Sequence, residues 1–191
     1  MTMTASPETL NRLALLDRDG TINVDHNYVH TRDQFDVIPG AVEAIKRLHG
    51  LGFSVVVVTN QSGVQRGKYT VEQMHDVHDY LQDILQEHDS RIDAFYYSTA
   101  MPGSPDIRRK PMPGMALEAA RDFNADLGRS VVIGDKTSDI GLARNVGARS
   151  ILVRTGHGRE TEIGGGAGET AIADDLTGAV EVIEQWLREG W

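Results

Sequence analysis

Short apolar runs alternate with amphipathic stretches along the 191-residue chain. Each apolar run is followed by polar or glycine-containing sequence, which is typical of a buried parallel strand. The predicted strands cover residues 13–16, 53–58, 94–97, 131–133 and 150–153. The stretches with helical periodicity cover residues 41–49, 71–88, 115–123, 140–145 and 179–188.

This alternation predicts an α/β fold: a three-layer, Rossmann-like, doubly wound parallel sheet with helices on both faces. In such a sheet the ligand crevice lies at the carboxyl ends of the strands. The length favours a single domain over residues 13–191, preceded by an extension of residues 1–12. Residues 164–168 are predicted to form a flexible surface connection, because they follow no strand directly and lack the spacing of a phosphate-binding glycine loop.

Charge and composition exclude several classes of protein. The formal net charge of −9 disfavours nonspecific attraction to nucleic acid or to anionic lipid, so neither is a predicted partner. The chain has no cysteine, which excludes disulfides, thiolate metal sites and cysteine nucleophiles. Its start lacks the pattern of a signal peptide. We therefore expect a cytoplasmic protein, and the expected assembly is a monomer or a small homo-oligomer.

Two carboxylates follow the first predicted strand, in the sequence Asp-Arg-Asp-Gly-Thr at residues 17–21. Residues i and i+2 of an extended segment face the same way, so Asp17 and Asp19 can converge on one small volume. A divalent cation is the usual means of keeping two such charges close, and Mg²⁺ suits oxygen ligands and a phosphate partner. One carboxylate could attack phosphorus while the other handles the proton. Alone, the motif is also consistent with an acidic turn or a calcium-type loop.

Two further motifs offer groups that bind phosphate. The hydroxyl, amide and backbone N–H groups of residues 59–63, Thr-Asn-Gln-Ser-Gly, follow the second predicted strand and could hold phosphoryl oxygens. The adjacent cations Arg109 and Lys110 precede Pro111, and both suit a phosphate group. Taken singly, these motifs are also consistent with an ordinary polar turn and a solvated basic pair.

A fourth motif, Gly-Asp-Lys-Thr-Ser-Asp at residues 134–139, follows another predicted strand. Asp135 could complete an oxygen cage for a metal, and Lys136 could offset local negative charge. Asp139 could steady Lys136 or cap the following helix. Capping alone would explain Asp139, but not an acidic and a basic residue together at a strand end.

In this order and spacing, the motifs resemble those of the haloacid dehalogenase superfamily of phosphatases. Within it, the chain resembles the D-glycero-D-manno-heptose 1,7-bisphosphate 7-phosphatase family at residues 17–23, 24–30, 58–63, 66–70, 109–111, 134–136 and 152–156. The resemblance implies a fold without a large cap domain. It also implies Mg²⁺-dependent hydrolysis of a small phosphorylated sugar through an aspartyl phosphate, in the synthesis of nucleotide-activated heptose.

The resemblance also assigns roles to single residues. It implies Asp17 as the nucleophile and Asp19 as the acid/base, with Thr59 and Lys110 stabilising the transferring phosphoryl group. The implied magnesium ligands are Asp17, Asp19 and Asp135. The implied substrate contacts are Asp25, His26, Asn27, Tyr28, Asn60, Gln61, Ser62, Arg109 and Lys136.

One segment departs from the family pattern. The family commonly carries a zinc loop of three cysteines and a histidine between the third strand and the Arg-Lys-Pro motif. The corresponding residues 98–108 contain neither residue type, and Asp106 alone cannot hold structural zinc. We therefore predict no structural Zn²⁺ and a loop stiffened by Pro102 and Pro105. Since this loop would flank the substrate, the change concerns sugar and anomer preference more than phosphoryl chemistry.

Two alternatives to the heptose reading stay open. Histidinol-phosphate phosphatases share part of the pattern, so the substrate could be histidinol phosphate or another small metabolite. A non-catalytic phosphate-binding scaffold would need no nucleophile and acid/base pair. Outside the motifs, His75 and His78 are predicted to form a solvated or hydrogen-bonded helix face, and Trp186 and Trp191 are predicted to pack at the core or its edge.

Overall fold

The computed structural model describes residues 10–191, so residues 1–9 of the predicted N-terminal extension lie outside the described residues. Six strands form one sheet: β1 Arg12–Leu16, β2 Phe53–Asn60, β3 Ala94–Ser98, β4 Val131–Gly134, β5 Arg149–Val153 and β6 Ala171–Ala173. Their order is β3-β2-β1-β4-β5-β6, and every neighbouring pair is parallel. The strand order changes direction between β1 and β4, so the ends of β1, β2 and β4 flank the switch point where ligands bind in such sheets.

The helices are α1 Ala41–Gly50, α2 Val71–Gln86, α3 Gly114–Asp122, α4 Thr137–Val146, α5 Gly158–Ile163 and α6 Leu176–Arg188, with 3₁₀ turns at Arg32–Gln34 and Leu127–Arg129. A capping box fixes the start of α2. The backbone N–H of Gln73 donates to Thr70 Oγ1 at 3.2 Å, and the backbone N–H of Thr70 donates to Gln73 Oε1 at 2.9 Å. These two bonds satisfy donors that the first turn of a helix leaves open.

Helices cover both faces of the sheet. Alternate strand residues point to opposite faces, so Leu16 and Val57 join the apolar cluster with α1, α2 and α6, whereas Leu15 and Val56 join the cluster with α3 and α4. All four side chains are fully buried. Because water is excluded from both faces, the strands read as continuous apolar runs. The predicted three-layer α/β fold is confirmed.

The five predicted strands and five predicted helices are confirmed, with boundaries that shift by up to three residues. The sequence prediction missed α5 and β6, which are six and three residues long. The prediction for residues 164–168 was incomplete: they follow α5 as a turn, but Ala167 is buried against Ile140 and Leu152 and anchors that turn to the sheet.

The prediction of a solvated or hydrogen-bonded face at His78 was wrong. The ring stacks on Phe95 at a centroid distance of 4.4 Å and is buried, and burial lowers the pKa of His78 to about 2. His78 therefore packs as a neutral ring. Trp186 and Trp191 pack at the edge of the larger apolar cluster, as predicted.

No inserted domain separates the sheet from its helices in the described chain. The connection from β1 to α1 holds only loops and the 3₁₀ turn at Arg32–Gln34, and the connection from β2 to α2 is a short series of turns. The crevice at the carboxyl ends of the strands is therefore walled by loops of the single sheet. Among residues 10–191, no helix is both long and apolar enough to cross a bilayer.

Candidate active site

A cavity of about 320 Å³ opens at the carboxyl ends of β1, β2 and β4. Its lining brings together residues that are far apart in the sequence, because parallel strands end at the same edge of the sheet. The predicted site residues that line it are Asp17, Asp19, Asp25, Asn27, Tyr28, Thr59, Asn60, Gln61, Ser62, Arg109, Lys110 and Lys136. Asp135 lies buried beneath this wall, and His26 lies outside it.

Asp17 directly follows β1 and is held by the sheet. Its backbone N–H donates to the Ile133 carbonyl at 2.9 Å, which extends the pairing of β1 with β4 by one residue. Asp17 is only 5% exposed. Its Oδ1 accepts a hydrogen bond from the backbone N–H of Arg18 at 2.9 Å and contacts Lys110 Nζ at 2.8 Å. Burial acts to raise the pKa of Asp17, but the charges of Lys110 and Lys136 outweigh it and lower the pKa. Asp17 is therefore an ionised carboxylate that faces the cavity.

Lys110 links two buried carboxylates. Its Nζ lies 2.8 Å from Asp17 and 2.6 Å from Asp139, and it donates to the Val58 carbonyl at 2.7 Å. Burial opposes the charged form, but Asp139 and Asp17 raise the pKa of Lys110. Sequence analysis offered two roles for Asp139, steadying Lys136 or capping α4, and the structure shows the cap together with an ion pair to Lys110. One oxygen of Asp139 caps α4 by accepting from the Lys136 backbone N–H at 3.0 Å, and the other pairs with Lys110.

Asp19 sits in the cavity wall in a ring of donors. Arg18 Nη2 lies 2.9 Å from both of its oxygens, while Asn23 Nδ2 and Gln61 Nε2 donate at 3.0 and 2.9 Å. Arg18 itself is fully buried and also donates to the Val29 carbonyl at 2.9 Å. Arg18 thus fixes the position of the carboxylate predicted as acid/base.

Gln61 connects Asp19 to the second motif. Its amide nitrogen donates to Asp19 and also to Thr59 Oγ1 at 2.8 Å, and its amide oxygen accepts from the Tyr69 hydroxyl at 2.5 Å. Burial raises the pKa of Tyr69 to about 12, so the phenol stays a donor. The predicted substrate contact at Gln61 is therefore, in this structure, a buried positioning group for Thr59 and Asp19.

Three buried carboxylates, those of Asp17, Asp135 and Asp139, are placed so that they could hold a metal ion. One oxygen of each lies within 4.8 Å of the other two. Asp135 Oδ1 is buried and accepts no hydrogen bond from any residue between 10 and 191, and its one ion-pair contact in this range is Lys136 Nζ at 3.4 Å. Burial and the charge of Asp17 raise the pKa of Asp135 to about 7. A hard cation would satisfy the open oxygen and offset this repulsion, so the oxygen donors fit Mg²⁺.

Asp19 was predicted as a third carboxylate ligand, and here the structure corrects the prediction. Its carboxylate points toward Arg18 and Gln61 and is outside the acidic cluster. Its main-chain carbonyl instead faces Lys136 Nζ at 3.5 Å, and the same Nζ lies 3.4 Å from Asp135. The main-chain carbonyl of Asp19 and the carboxylate of Asp135 therefore both face Lys136 Nζ.

The backbone packs tightly around Asp135. A Cβ atom at Gly20, where φ is +88°, would lie 2.3 Å from Asp135 Oδ2, and so would a Cβ at Gly156. The same oxygen accepts from the backbone N–H of His157 at 2.8 Å. Glycine at both positions lets the loops after β1 and β5 close on a single carboxylate.

Residues 25–28 form an irregular wall of the cavity. Asp25 pairs with Lys136 at 3.3 Å and its Oδ1 accepts from the Asn27 backbone N–H at 2.9 Å. Asn27 and Tyr28 have φ of 59° and 60°, the left-handed region, and both line the cavity. His26 lies outside the lining, and its ring pairs with Asp36 at 2.7 Å, so a substrate contact at His26 stays a prediction.

The remaining predicted contacts divide into two groups. The Asn60 amide makes paired hydrogen bonds of 3.1 and 3.0 Å with the backbone of Lys110, so it holds that lysine in place. Ser62 and Arg109 line the cavity mouth, and Arg109 donates to the Ala100 carbonyl at 2.7 Å. Of the adjacent cations Arg109 and Lys110, Arg109 is therefore the one that remains accessible to a substrate, since Lys110 is buried.

Sequence analysis did not single out four residues that line the cavity, namely Gly63, Tyr69, Ser138 and His157. Gly63, Tyr69 and Ser138 lie in quoted motif segments, where only their neighbours were assigned a role. His157 follows β5 and the quoted segment 152–156, and its position after a strand was the available signal.

The segment that replaces the zinc loop is organised around Asp106. Its Oδ2 accepts from the Ser98 hydroxyl at 2.7 Å, and its Oδ1 accepts from the Arg108 backbone N–H at 2.9 Å. The Met101 backbone N–H donates to Gln65 Oε1 at 2.8 Å, which ties the loop to the turn after β2. Hydrogen bonds thus hold the segment beside the cavity mouth.

Comparison with known proteins identifies the family. The HAD-hydrolase-like family model matches residues 107–179. D-glycero-beta-D-manno-heptose-1,7-bisphosphate 7-phosphatase of Escherichia coli (strain K12) is 45% identical over 150 residues, which cover 74% of this chain and 78% of that protein. D-glycero-D-manno-heptose-1,7-bisphosphate 7-phosphatase of Thermosynechococcus vestitus is 37% identical over 188 residues, which cover 88% and 93%. The chain belongs to the heptose-1,7-bisphosphate 7-phosphatase family.

Solved structures of this family have the same fold. The crystal structure of D,D-heptose 1,7-bisphosphate phosphatase from B. bronchiseptica, complexed with magnesium and phosphate, is 34% identical, has a TM-score of 0.86, and covers 92% of this chain and 99% of that chain. The resemblance inferred from the motifs is confirmed.

Proposed function

We propose that this chain is a Mg²⁺-dependent phosphatase that removes the C7 phosphate of D-glycero-D-manno-heptose 1,7-bisphosphate. The observation that carries the proposal is the buried chain of charges from Asp17 through Lys110 to Asp139, with distances of 2.8 and 2.6 Å, at the floor of the cavity. The names of the relatives, heptose-1,7-bisphosphate 7-phosphatases, support this sugar bisphosphate as the substrate. The reaction would serve cytoplasmic synthesis of nucleotide-activated heptose.

The chemistry follows from the positions of Asp17 and Asp19. Asp17 attacks phosphorus, the bond from phosphorus to the sugar oxygen breaks, and Asp19 gives its proton to that oxygen. Water then attacks the aspartyl phosphate and passes a proton to Asp19, which frees phosphate and restores Asp17. Thr59 and Lys110 stabilise the phosphoryl oxygens during both steps.

Asp17, Asp135 and the main-chain carbonyl of Asp19 would hold the metal ion. Bound Mg²⁺ supplies charge neutralisation for the phosphoryl group. The chain itself holds Asp135 in place. Its Oδ2 lies against Gly20 and accepts from the His157 backbone N–H at 2.8 Å, and its carbonyl accepts from the Thr161 hydroxyl at 2.9 Å.

A substrate panel tests the proposed function. With Mg²⁺, heptose 1,7-bisphosphate is expected to give a higher kcat/KM than heptose 7-phosphate or histidinol phosphate, because accessible Arg109 offers a bidentate site for a second phosphate. Assays with both anomers of the bisphosphate measure anomer preference. The absence of phosphate release from either anomer, with turnover of histidinol phosphate, would favour the alternative metabolite.

Arg109→Ala is the matched variant for this panel. The expected effect is a rise in KM of about tenfold or more for the bisphosphate, with little change for heptose 7-phosphate, since one charge-assisted contact to phosphate is lost. Arg121→Ala, which removes an exposed arginine paired with Asp122, serves as the control. Equal effects on both substrates would contradict recognition of a second phosphate by Arg109.

Asp19→Asn is expected to lower kcat for the sugar phosphate by about 10²- to 10⁴-fold, because proton transfer is lost while Arg18 and Asn23 still position the side chain. With 4-nitrophenyl phosphate, whose leaving group needs no proton, formation of the aspartyl phosphate should persist. Stopped-flow measurement should then show a burst of nitrophenolate followed by slow turnover. Wild-type turnover of the sugar phosphate would exclude Asp19 as the acid/base.

A further inference from the structure

A second cavity, of about 670 Å³ against about 320 Å³ for the active site, shares no lining residue with it. Arg149 and Ser150 at the start of β5 line this cavity, whereas the active site lies at the opposite ends of the strands. The rest of the wall includes Arg144 near the end of α4 and Trp186 on α6. We refer to it as the β5 cavity.

The two arginines that line the β5 cavity, Arg144 and Arg149, are not neutralised by a carboxylate of the described residues. Among residues 10–191, neither Arg144 nor Arg149 forms an ion pair with a carboxylate, although nine ion pairs in this range involve other arginines. The acidic residue that lines the cavity is Glu169, and it is unpaired with them. In a chain of net charge −9, this is a local concentration of positive charge.

Aromatic side chains hold Arg149 in place. Its guanidinium lies 4.6 Å from the ring centre of Trp186 and 4.9 Å from that of Trp191, which are cation–π distances. A guanidinium packed by its face keeps its N–H edge available for an anion.

The surrounding groups add donors. The Ser150 and Thr170 hydroxyls line the cavity and share a hydrogen bond of 2.9 Å. The cavity therefore presents two guanidinium groups and two hydroxyls, and its volume falls in the range of small-molecule sites.

We infer that the β5 cavity binds a phosphorylated organic compound of nucleotide size, with its phosphate on Arg144 and Arg149 and its organic part against Trp186. Planar guanidinium groups recognise phosphate through paired hydrogen bonds, and the tryptophan ring offers an apolar surface for the remainder of the ligand. The cavity is too large for a free phosphate ion alone. This site is independent of the phosphatase chemistry proposed above.

Tryptophan fluorescence tests the inference, because the two tryptophans of the chain both lie at this end of the molecule. Titration of the full chain with ADP is expected to give a saturable change in emission. Arg144→Gln and Arg149→Gln are each expected to weaken the apparent affinity about tenfold or more, since a charge-assisted contact is lost. Arg121→Gln, the control, should titrate like the wild type.

Three outcomes would overturn the inference. They are no saturable change with ADP, the same affinity in Arg144→Gln as in the wild type, and binding of inorganic phosphate as tight as that of ADP. Turnover of 4-nitrophenyl phosphate and circular dichroism check that each variant is folded. Because Arg149→Gln also changes the surroundings of both tryptophans, Arg144→Gln is the deciding variant.

Discussion

Asp17→Asn is expected to lower turnover of heptose 1,7-bisphosphate by at least about four orders of magnitude. An amide cannot attack phosphorus to form the aspartyl phosphate, and loss of a nucleophile removes the whole covalent route. The variant should stay folded, because Lys110 keeps its ion pair with Asp139 at 2.6 Å. Phosphate release under saturating substrate measures the effect, and thermal unfolding checks the fold.

A chemical trap adds an independent readout. Beryllium fluoride with Mg²⁺ mimics an aspartyl phosphate, so it should raise the melting temperature of the wild type but not that of Asp17→Asn. Asp36→Asn removes an exposed carboxylate that pairs with His26 outside the cavity, and it should retain both turnover and the response to the trap. Substantial turnover by Asp17→Asn would refute the assignment of the nucleophile.

Most of the fold could be predicted from the sequence because both faces of the sheet are buried. Residues such as Val56 and Val57 must both be apolar, so the strands appear as uninterrupted runs, and the loops after them mark the site. β6 could not be predicted on this basis. It has three residues, of which only Ala173 is buried, and it pairs at the edge of the sheet.

The positions of the site residues were predicted best where these residues lie at the end of a strand. Asp17 and Thr59 occupy such ends, whereas His26 lies in an irregular segment followed by Asn27 and Tyr28 at positive φ. No periodicity indicates the direction of a side chain in such a segment. The sequence therefore could not show that Asp25 lines the cavity and His26 does not.

Asp139 shows a second limit of the sequence. Its local pattern is that of a helix cap, and it does cap α4. Its ion pair with Lys110 depends on the approach of two loops that are separated in the chain, which no local pattern records. The same reason explains why Arg18, which lies between the two carboxylates, was not recognised as the group that holds Asp19.

Lys110→Met is expected to abolish detectable turnover and to lower the free energy of unfolding by about 3–5 kcal/mol. The lysine is 3% exposed and is the cation between Asp17 and Asp139, so its loss leaves two buried carboxylates without a partner. It also removes the charge that stabilises the phosphoryl oxygens in transfer. Denaturant unfolding and phosphate release measure the two effects.

A double variant separates the structural and the catalytic parts of this loss. Lys110→Met with Asp139→Asn removes one of the stranded charges, so stability should partly recover while turnover stays absent. Lys46→Met, which removes an exposed lysine that donates to the His88 carbonyl, should change neither quantity appreciably. If the double variant regained wild-type turnover, Lys110 would be a purely structural counter-ion. If stability stayed at its single-variant value, repulsion between the buried carboxylates would not be the cause of the instability.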